Sequence, residues 1–406
     1  MPNKIINSIA IWWLTWLFIS MFSFTGLNKP ALESFFYVVA FVFFFYIGSK
    51  CVFISSKKSL SIKYKPFDIR KFKFGFRIFF IIVFIIVVPV AIFSTSKLLT
   101  MPASEYRILI FKSSDEGGAL LGSDRFNLIY TLFIRPLIWI LIAYGLWLQN
   151  RTNEAKYLWL PLIIGTLDSL IFFGRFFFYE YFIALYFIGI MNTNPHLNKN
   201  IKNLKIKKEY IFLLLAMTVI FFTVMTNDEL LILKIFEMLV VDYHTIGFIF
   251  FSEEVTNLNS FSNMHIGFGS GTLMAIYRYI TLILHYIFPT WEYPDFMSAI
   301  SYRNEFVNLS NDGSNVNVYN AYYTILTTFY YDGRLVGIAI GAFMIGLALK
   351  YFLHQYTLFK NLSSFIMILL ISQMMIFSIF QSRIEFFMVQ SMFIYIWILF
   401  NKIKLR

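Results

Sequence analysis

Long apolar runs separated by short polar segments make up most of the chain. A membrane-spanning helix needs about 20 mostly apolar residues at a rise of about 1.5 Å each, and on that measure the pattern predicts about ten spans. They cover residues 5–24, 35–54, 76–95, 126–148, 157–173, 176–191, 210–225, 335–353, 362–381 and 384–400. The first run has no small-residue cleavage site, so we expect it to remain as a span rather than a cleaved signal sequence. The pattern predicts an all-α, polytopic membrane protein.

One long segment, from about Thr226 to Gly337, interrupts this pattern. It contains two further apolar runs, Leu230–Phe251 and Thr272–Phe288. If both crossed the membrane, the connection between them, which has acids but no Lys or Arg, would be cytoplasmic, against the usual charge rule. We therefore predict interfacial or re-entrant helices here, the first of them amphipathic. The predicted organisation is seven spans in 1–225, a large loop in 226–334, and three spans with a tail in 335–406.

The distribution of charge predicts which side of the membrane each loop occupies. Lys and Arg gather in the short loops 57–73 and 199–208, and cytoplasmic loops are the ones that carry such an excess. The Thr226–Gly337 segment has eleven acids but four cations, so it is predicted to lie outside. Both termini are predicted to be cytoplasmic.

Composition narrows the class of protein further. With 59% hydrophobic and 14% charged residues, the chain is too apolar for a soluble domain of its length. The net charge of +12 lies in loops beside the membrane, where anionic lipid is a nearer partner than nucleic acid. The lone Cys51 excludes an intrachain disulfide and a thiolate metal cluster, and no metal or other cofactor is predicted.

Ionisable residues within predicted spans are costly unless they are neutralised. Arg135 and Asp168 are both predicted near mid-bilayer, where a salt bridge between them would account for both. Two arginines lie in predicted external turns. Arg175 either pairs with Glu180 or lines an external cavity, and Arg383, beside Glu385, has the same alternatives.

The external loop contains arginines with few acids close by in sequence. Arg278 and His285 are seven residues apart, so they share one face of a predicted helix. His285 is either a structural residue or part of a site. The planar guanidinium of Arg278, Arg303 and Arg334 suits two-point contacts with phosphate oxygens.

Three stretches resemble one family. "NAYYTILTTFYYDGRLVGIAIGAFMIG" (Asn320–Gly346) resembles the end of the large periplasmic loop and the following span of Wzy-type O-antigen polymerases, the oligosaccharide repeat unit polymerases. The matched positions are Asn320, Thr324, Tyr331, Asp332, Gly333 and Gly337. "DYHTIGF" (Asp242–Phe248) resembles the segment that opens that loop, and "FFGRFFFYEYFIAL" resembles the Gly-Arg pair of an earlier helix.

The resemblance implies a GT-C-like glycosyltransferase of the bacterial inner membrane that needs no metal or cofactor. Such an enzyme transfers a glycan from undecaprenyl pyrophosphate onto a lipid-linked repeat unit at the periplasmic face. Catalytic roles are then expected for Asp332, Arg278 and Arg175, with Asp242, His244 or His285 as alternatives to Asp332 for the base. Substrate contacts are expected from Arg303, Arg334, Tyr243, His244, Tyr323, Asn320 and His285.

The expected partners are the lipid-linked oligosaccharide and membrane lipids, and the resemblance leaves open whether a chain-length regulator binds. Two other functions fit the same layout. An O-antigen ligase uses the same donor but passes the glycan to lipid A core. A flippase or transporter for the lipid-linked unit belongs to another class, but transporters usually show repeat symmetry, and the sequence shows none.

Overall fold

Helices make up nearly all of the chain that the computed structural model describes, which is residues 2–22, 26–51, 69–102, 105–106, 124–172, 174, 176–192, 237–288, 307–309, 318–319 and 323–400. The predicted span 210–225 lies outside these residues. So do both basic loops except the few residues at the start of the third helix.

The described helices are α1 (Pro2–Ser20), α2 (Leu32–Lys50), α3 (Ile69–Thr100), α4 (Asp124–Ile129), α5 (Arg135–Thr152), α6 (Lys156–Ile171), α7 (Phe176–Asn192), α8 (Tyr243–Thr256), α9 (Phe261–Met264), α10 (Met274–Ile287), α11 (Ile325–Phe359), α12 (Leu362–Phe377) and α13 (Phe387–Phe400). A π-helical turn, Tyr130–Ile134, joins α4 to α5, and another, Glu237–Asp242, leads into α8. A 3₁₀ turn, Arg383–Glu385, precedes α13. Two short strands, β1 (Val307–Asn308) and β2 (Val318–Tyr319), pair antiparallel.

Four of these helical stretches are long and apolar enough to cross a membrane: Leu32–Lys50, Ile69–Thr100, Tyr130–Thr152 and Ile325–Phe359. Three shorter apolar helices are Phe177–Met191, Leu362–Phe377 and Met388–Leu399. Large apolar side chains such as Ile85 and Val336 point outward, 64% and 65% exposed, as expected of surfaces that face lipid. The all-α membrane fold is therefore confirmed. The number of spans and the three-part organisation stay predictions.

The backbones of α2 and α11 approach each other closely. A Cβ placed on Gly48 of α2 would lie 2.1 Å from the carbonyl oxygen of Phe343, and one placed on Gly346 of α11 would lie 2.1 Å from that of Phe45. Glycines at such positions let two helix backbones approach closely, which supplies packing energy where lipid removes the usual hydrophobic drive.

The connections between helices gather at two ends of the bundle. At one, which we call the basic end, Glu154 contacts both Lys73 and Lys156, and Arg151 donates to the carbonyl of Lys360 at 2.9 Å. Hydrogen bonds from Lys156 and Lys73 hold the pKa of Glu154 below its usual range. The pairing of these residues agrees with their predicted placement on one side of the membrane.

The other end, which we call the loop end, includes described parts of the segment from Thr226 to Gly337, which is predicted to be external and is called the external segment below. The amide of Asn28 donates to the carbonyl of Leu309 at 2.9 Å, and the amide of Ala31 donates to Ser252 Oγ at 2.7 Å. The first amide of α11, on Ile325, donates to the carbonyl of Ser378 at the end of α12, also at 2.9 Å. The segments that follow α1 and α12 therefore meet the external segment at one place.

The two apolar runs of the external segment form different kinds of helix. In the first run, α8 is buried over almost its whole length, with Glu253 and Thr256 as exceptions, so it is not an amphipathic helix on the surface. It packs against α1 and α2, so this part of the run lies inside the bundle, whereas residues 230–236 of the predicted amphipathic run lie outside the described residues. The second run forms α10, which exposes Ile280 and Ile283 and buries Ala275 and Thr281. This helix has the two faces expected of an interfacial element.

Candidate functional site

A break in α11 forms the centre of the candidate site, within the motif that resembles the polymerase family. Gly333 and Arg334 leave the helical conformation, and Arg334 has φ of 56° and ψ of −137°. A side chain at positive φ with this ψ costs about 1–3 kcal/mol of strain and persists only where surrounding contacts impose it. Such strain is often found at functional sites.

The carboxylate of Asp332 imposes part of this conformation. It accepts hydrogen bonds from the amide of Gly271 at 2.7 Å, from the amide of Thr272 at 2.8 Å, and from the Thr272 hydroxyl. The carbonyls of Tyr331 and Asp332 accept from the amides of Gly267 and Phe268 at 2.8 and 3.1 Å. These contacts fix the glycine-rich loop Gly267–Thr272 against the break.

Two of the loop glycines are required by this close approach. A Cβ on Gly267 would lie 2.3 Å from the Tyr331 ring, and one on Gly271 would lie 2.9 Å from Asp332 Oδ1. Asp332, predicted as a general base, is therefore also the residue that anchors the loop. A carboxylate offers about four lone pairs, and the loop uses three of them.

The guanidinium of Arg334 contacts Tyr330 and the backbone of His265. It packs over the ring of Tyr330 at 4.8 Å, and its Nη2 is 3.5 Å from the carbonyl oxygen of His265. Its Nη1 is buried and has no hydrogen-bond partner among the described residues, and no described carboxylate forms a salt bridge with Arg334. The side chain is half-exposed, so at the loop end it is a cation with unused hydrogen-bonding capacity.

Contacts from three other elements hold Tyr330 beneath Arg334. The Tyr330 hydroxyl donates to Asn263 Oδ1 at 2.8 Å, and its ring meets that of Tyr37 edge to face at 5.4 Å. Asn263 donates in turn to the carbonyls of Val255 and Asn257 at the end of α8. The surface beneath the guanidinium is therefore rigid.

A second set of charges is buried within the bundle and is internally balanced. Arg135 Nε lies 3.2 Å from Asp168 Oδ2, so the predicted salt bridge is confirmed. Asp168 lies in the last turn of α6, and its predicted depth near mid-bilayer stays a prediction. Glu180 pairs with Arg383 at 3.2 Å, a partner that the sequence did not predict; the predicted pairings of Glu180 with Arg175 and of Arg383 with Glu385 depend on side chains outside the described residues.

Two residues predicted to contact the substrate, His244 and Tyr323, are buried inside the protein. His244 is 5% exposed, stacks on Trp16 at 4.3 Å, and uses both ring nitrogens, Nδ1 donating to the Val240 carbonyl and Nε2 accepting from the Tyr179 hydroxyl, each at 2.7 Å. Tyr323 is 6% exposed and packs on Phe250. Their roles in this conformation are structural.

The remaining predicted residues are only partly described. Tyr243, at the start of α8, is half-buried with its ring 6.3 Å from that of Phe380. Positions 278 and 285 lie on the face of α10 that carries buried Thr281, opposite the exposed Ile280 and Ile283. Arg175, Arg303 and Asn320 lie outside the described residues, as do the side chains of Arg278 and His285.

Sequence reasoning missed the loop Gly267–Thr272 and Gln390 of α13, which also contacts it. The available signals were the run "GFGSGT" just before an apolar helix and a lone carboxamide inside an apolar span. Among the described residues, no group of three or more His, Cys, Asp or Glu side chains could hold a metal ion.

Comparison of the chain with models of protein families, with curated proteins and with solved structures finds no match. The resemblance to the O-antigen polymerases therefore rests on the motifs themselves.

Proposed function

We propose that the protein is a membrane glycosyltransferase that polymerises lipid-linked oligosaccharide repeat units at the periplasmic face of the bacterial inner membrane. The observation that carries this proposal is Arg334. Its guanidinium is held on Tyr330 in a strained backbone conformation, without a described carboxylate to neutralise it. A cation held in this way supplies two-point hydrogen bonding to a diphosphate without first breaking an ion pair.

The proposed reaction moves one glycan from its diphosphate carrier to a sugar hydroxyl. The acceptor oxygen forms a bond with the anomeric carbon of the donor, and the bond from that carbon to the diphosphate oxygen breaks. The diphosphate leaves with the bonding electrons, so negative charge grows where Arg334 is placed to stabilise it. Arg278, Arg175 and Arg303 are proposed to contribute further cations.

The acceptor proton must go to a base in this reaction, and Asp332 is proposed for that role. Its remaining lone pair allows it to accept a proton, and the loop contacts fix its position beside Arg334. Asp242 and His285 are retained as alternatives. His244 is the weakest of the four candidates, since neither of its ring nitrogens is free.

The ten-span, GT-C-like architecture and the orientation with both termini in the cytoplasm belong to the same proposal. In support, Lys73 and Lys156, which both contact Glu154, and Arg151, which donates to the carbonyl of Lys360 at the end of α11, lie at the end of the bundle opposite Arg334. Reporter fusions at Asn203 and Asp312 are expected to report opposite sides of the membrane. Matching signals would reject this topology.

The activity is tested with purified protein in liposomes and lipid-linked repeat unit as the sole substrate. The proposal predicts a ladder of products that differ by one repeat unit, with release of polyprenyl diphosphate. Addition of lipid A core separates the ligase alternative, which would give product only when that acceptor is present. A flippase would move the substrate across the bilayer and leave its size unchanged.

A further inference from the structure

The side chain of Gln390 makes three hydrogen bonds, two of which join α13 to the glycine-rich loop and to α10. Its Nε2 donates to the carbonyl of Thr272 at 2.7 Å and to the carbonyl of Ile384 at 2.8 Å. Its Oε1 accepts from the amide of Ile276 at 3.1 Å. Gln390 is 7% exposed within an otherwise apolar helix, where a buried carboxamide is costly unless it is hydrogen-bonded.

The contact with Ile276 supplies what the start of α10 lacks. The first four amides of a helix have no partner within the helix, and a side chain at the N-cap usually accepts from one of them. The N-cap of α10 is Leu273, whose side chain has no hydrogen-bond acceptor, so it forms no side-chain cap. Gln390 provides the acceptor from another helix.

Thr272 is held from both sides by this arrangement. Its amide and hydroxyl donate to Asp332 of α11, while its carbonyl accepts from Gln390 of α13. One turn into α10, the hydroxyls of Tyr279 and Ser391 are 2.6 Å apart, which adds a second connection to α13. These contacts fix the position of the start of α10 along its axis and its rotation about that axis, relative to the helix break and α13.

We infer that Gln390 is a positioning residue that caps α10 from outside and sets the rotation of that helix beside Arg334. Helix periodicity places positions 278 and 285 on the face of Thr281, and the rotation buries Thr281 while Ile280 and Ile283 face outward. For catalysis this inference rests on the proposed function, because it assigns Gln390 the task of placing α10 and Arg278 relative to the diphosphate. The structural role of Gln390 at the start of α10 does not depend on the proposed function.

Hydrogen exchange measured by mass spectrometry on peptides covering 267–279 tests the structural part directly. Gln390→Leu removes all three hydrogen bonds at similar volume, and we expect protection in these peptides to fall by about tenfold or more. Gln390→Glu keeps the acceptor for Ile276, so we expect it to retain protection around Ile276 and to lose it around Thr272. This milder variant keeps the test valid if Gln390→Leu does not fold.

Gln373→Leu is the matched control. Gln373 is also a buried glutamine in an apolar helix, 4% exposed, but it donates to the carbonyl of Glu180, away from α10. The Gln373→Leu variant should leave amide hydrogen exchange in the peptides covering 267–279 unchanged. Unchanged exchange in both Gln390 variants, or an equal loss in the Gln373 control, would overturn the inference.

The catalytic part is read from the polymerisation assay. Gln390→Leu is expected to lower kcat by about tenfold or more with a smaller change in KM, because Arg334 remains in place to bind substrate. A rise in KM alone would contradict positioning. If the wild-type protein forms no polymer, the proposed function fails, but the exchange experiment still decides the role of Gln390.

Discussion

Glu180 of α7 and Arg383 of the turn before α13 form an ion pair, Oε1 to Nη1 at 3.2 Å, with 8% of each side chain exposed. The second carboxylate oxygen of Glu180 accepts from Trp139 Nε1 at 2.7 Å. The guanidinium of Arg383 packs over the rings of Phe377 and Phe386 at 4.6 and 5.3 Å. Two opposite charges distant in sequence are therefore matched inside the apolar bundle.

Arg383→Met should reduce the amount of folded protein in the membrane, because it leaves the Glu180 carboxylate buried without its cation. Breaking a buried pair by removing one partner costs about 3–5 kcal/mol. Thermal aggregation of the protein in detergent, together with its abundance in membranes, measures the effect. The double variant Glu180→Met/Arg383→Met should recover much of the loss, since it removes both charges. A single variant as stable as the wild type would contradict this account of the pair.

Gly48→Ala should destabilise the protein, because the added methyl would meet the Phe343 carbonyl oxygen and force α2 away from α11. Overpacking of this kind costs about 1–3 kcal/mol, and more where backbone must move. Gly189→Ala in α7 is the matched control, since a Cβ there meets nothing within 4 Å. The control should be neutral or more stable, as alanine is the better helix former. Equal melting temperatures of the two variants would exclude the close crossing.

Arg334→Gly should be more stable than Arg334→Ala. Both variants remove the guanidinium and its contact with Tyr330, but alanine keeps the strained φ of 56° while glycine adopts it at little cost. The expected difference is about 1–2 kcal/mol, opposite in sign to the usual preference for alanine within a helix. Unfolding of the two purified variants under identical conditions measures it. Greater stability of the alanine variant would show that the break is not strained.

The free energy of unfolding should fall in mildly acidic solution, because His244 takes up a proton when the chain unfolds. Burial lowers the pKa of His244 to about 4 from an ordinary value of 6.5, so the unfolded chain takes up a proton in a range where the folded protein does not. Stability contributed by the neutral imidazole is present above about pH 6.5 and is lost as the pH falls towards 4. The contacting side chains Trp16, Tyr179 and Phe380 do not titrate in this range.

His244→Gln should remove that part of the pH dependence. Melting temperatures of the wild type and the variant between pH 7.5 and 4.5 give the difference directly, and effects of other groups cancel in the comparison. Parallel curves for the two proteins would mean that His244 does not contribute.

Hydrophobic patterning was sufficient to predict the helical membrane fold, because apolar runs longer than about 17 residues have few other structures open to them. It also predicted the Arg135–Asp168 salt bridge, since two opposite charges in neighbouring antiparallel spans have strong reason to pair. It did not predict that Glu180 pairs with Arg383. That pairing depends on the tertiary packing of the turn before α13, which brings together two residues distant in sequence.

The candidate site was predictable only in part. The motif around Asp332 was recognised, but its carboxylate anchors a loop some 60 residues earlier in sequence, as its bonds to Gly271 and Thr272 show. Gln390 had no sequence signal beyond its polarity. The burial of His244 and Tyr323 follows from the packing of α8 inside the bundle. The apolar composition of α8 alone fits either a surface or an interior position, so the sequence did not predict it.

Affinity for a polyprenyl diphosphate is the measurement that tests the central claim most directly. Farnesyl diphosphate is titrated into wild type, Arg334→Lys and Arg334→Gly, with Arg77→Lys, an exposed residue near the basic end of α3, as the control. Loss of hydrogen bonds to a charged group costs about 1.5–3 kcal/mol, so both Arg334 variants should bind about ten- to a hundredfold more weakly, with the control unchanged. Wild-type affinity in both Arg334 variants would contradict the assignment of this site to the diphosphate.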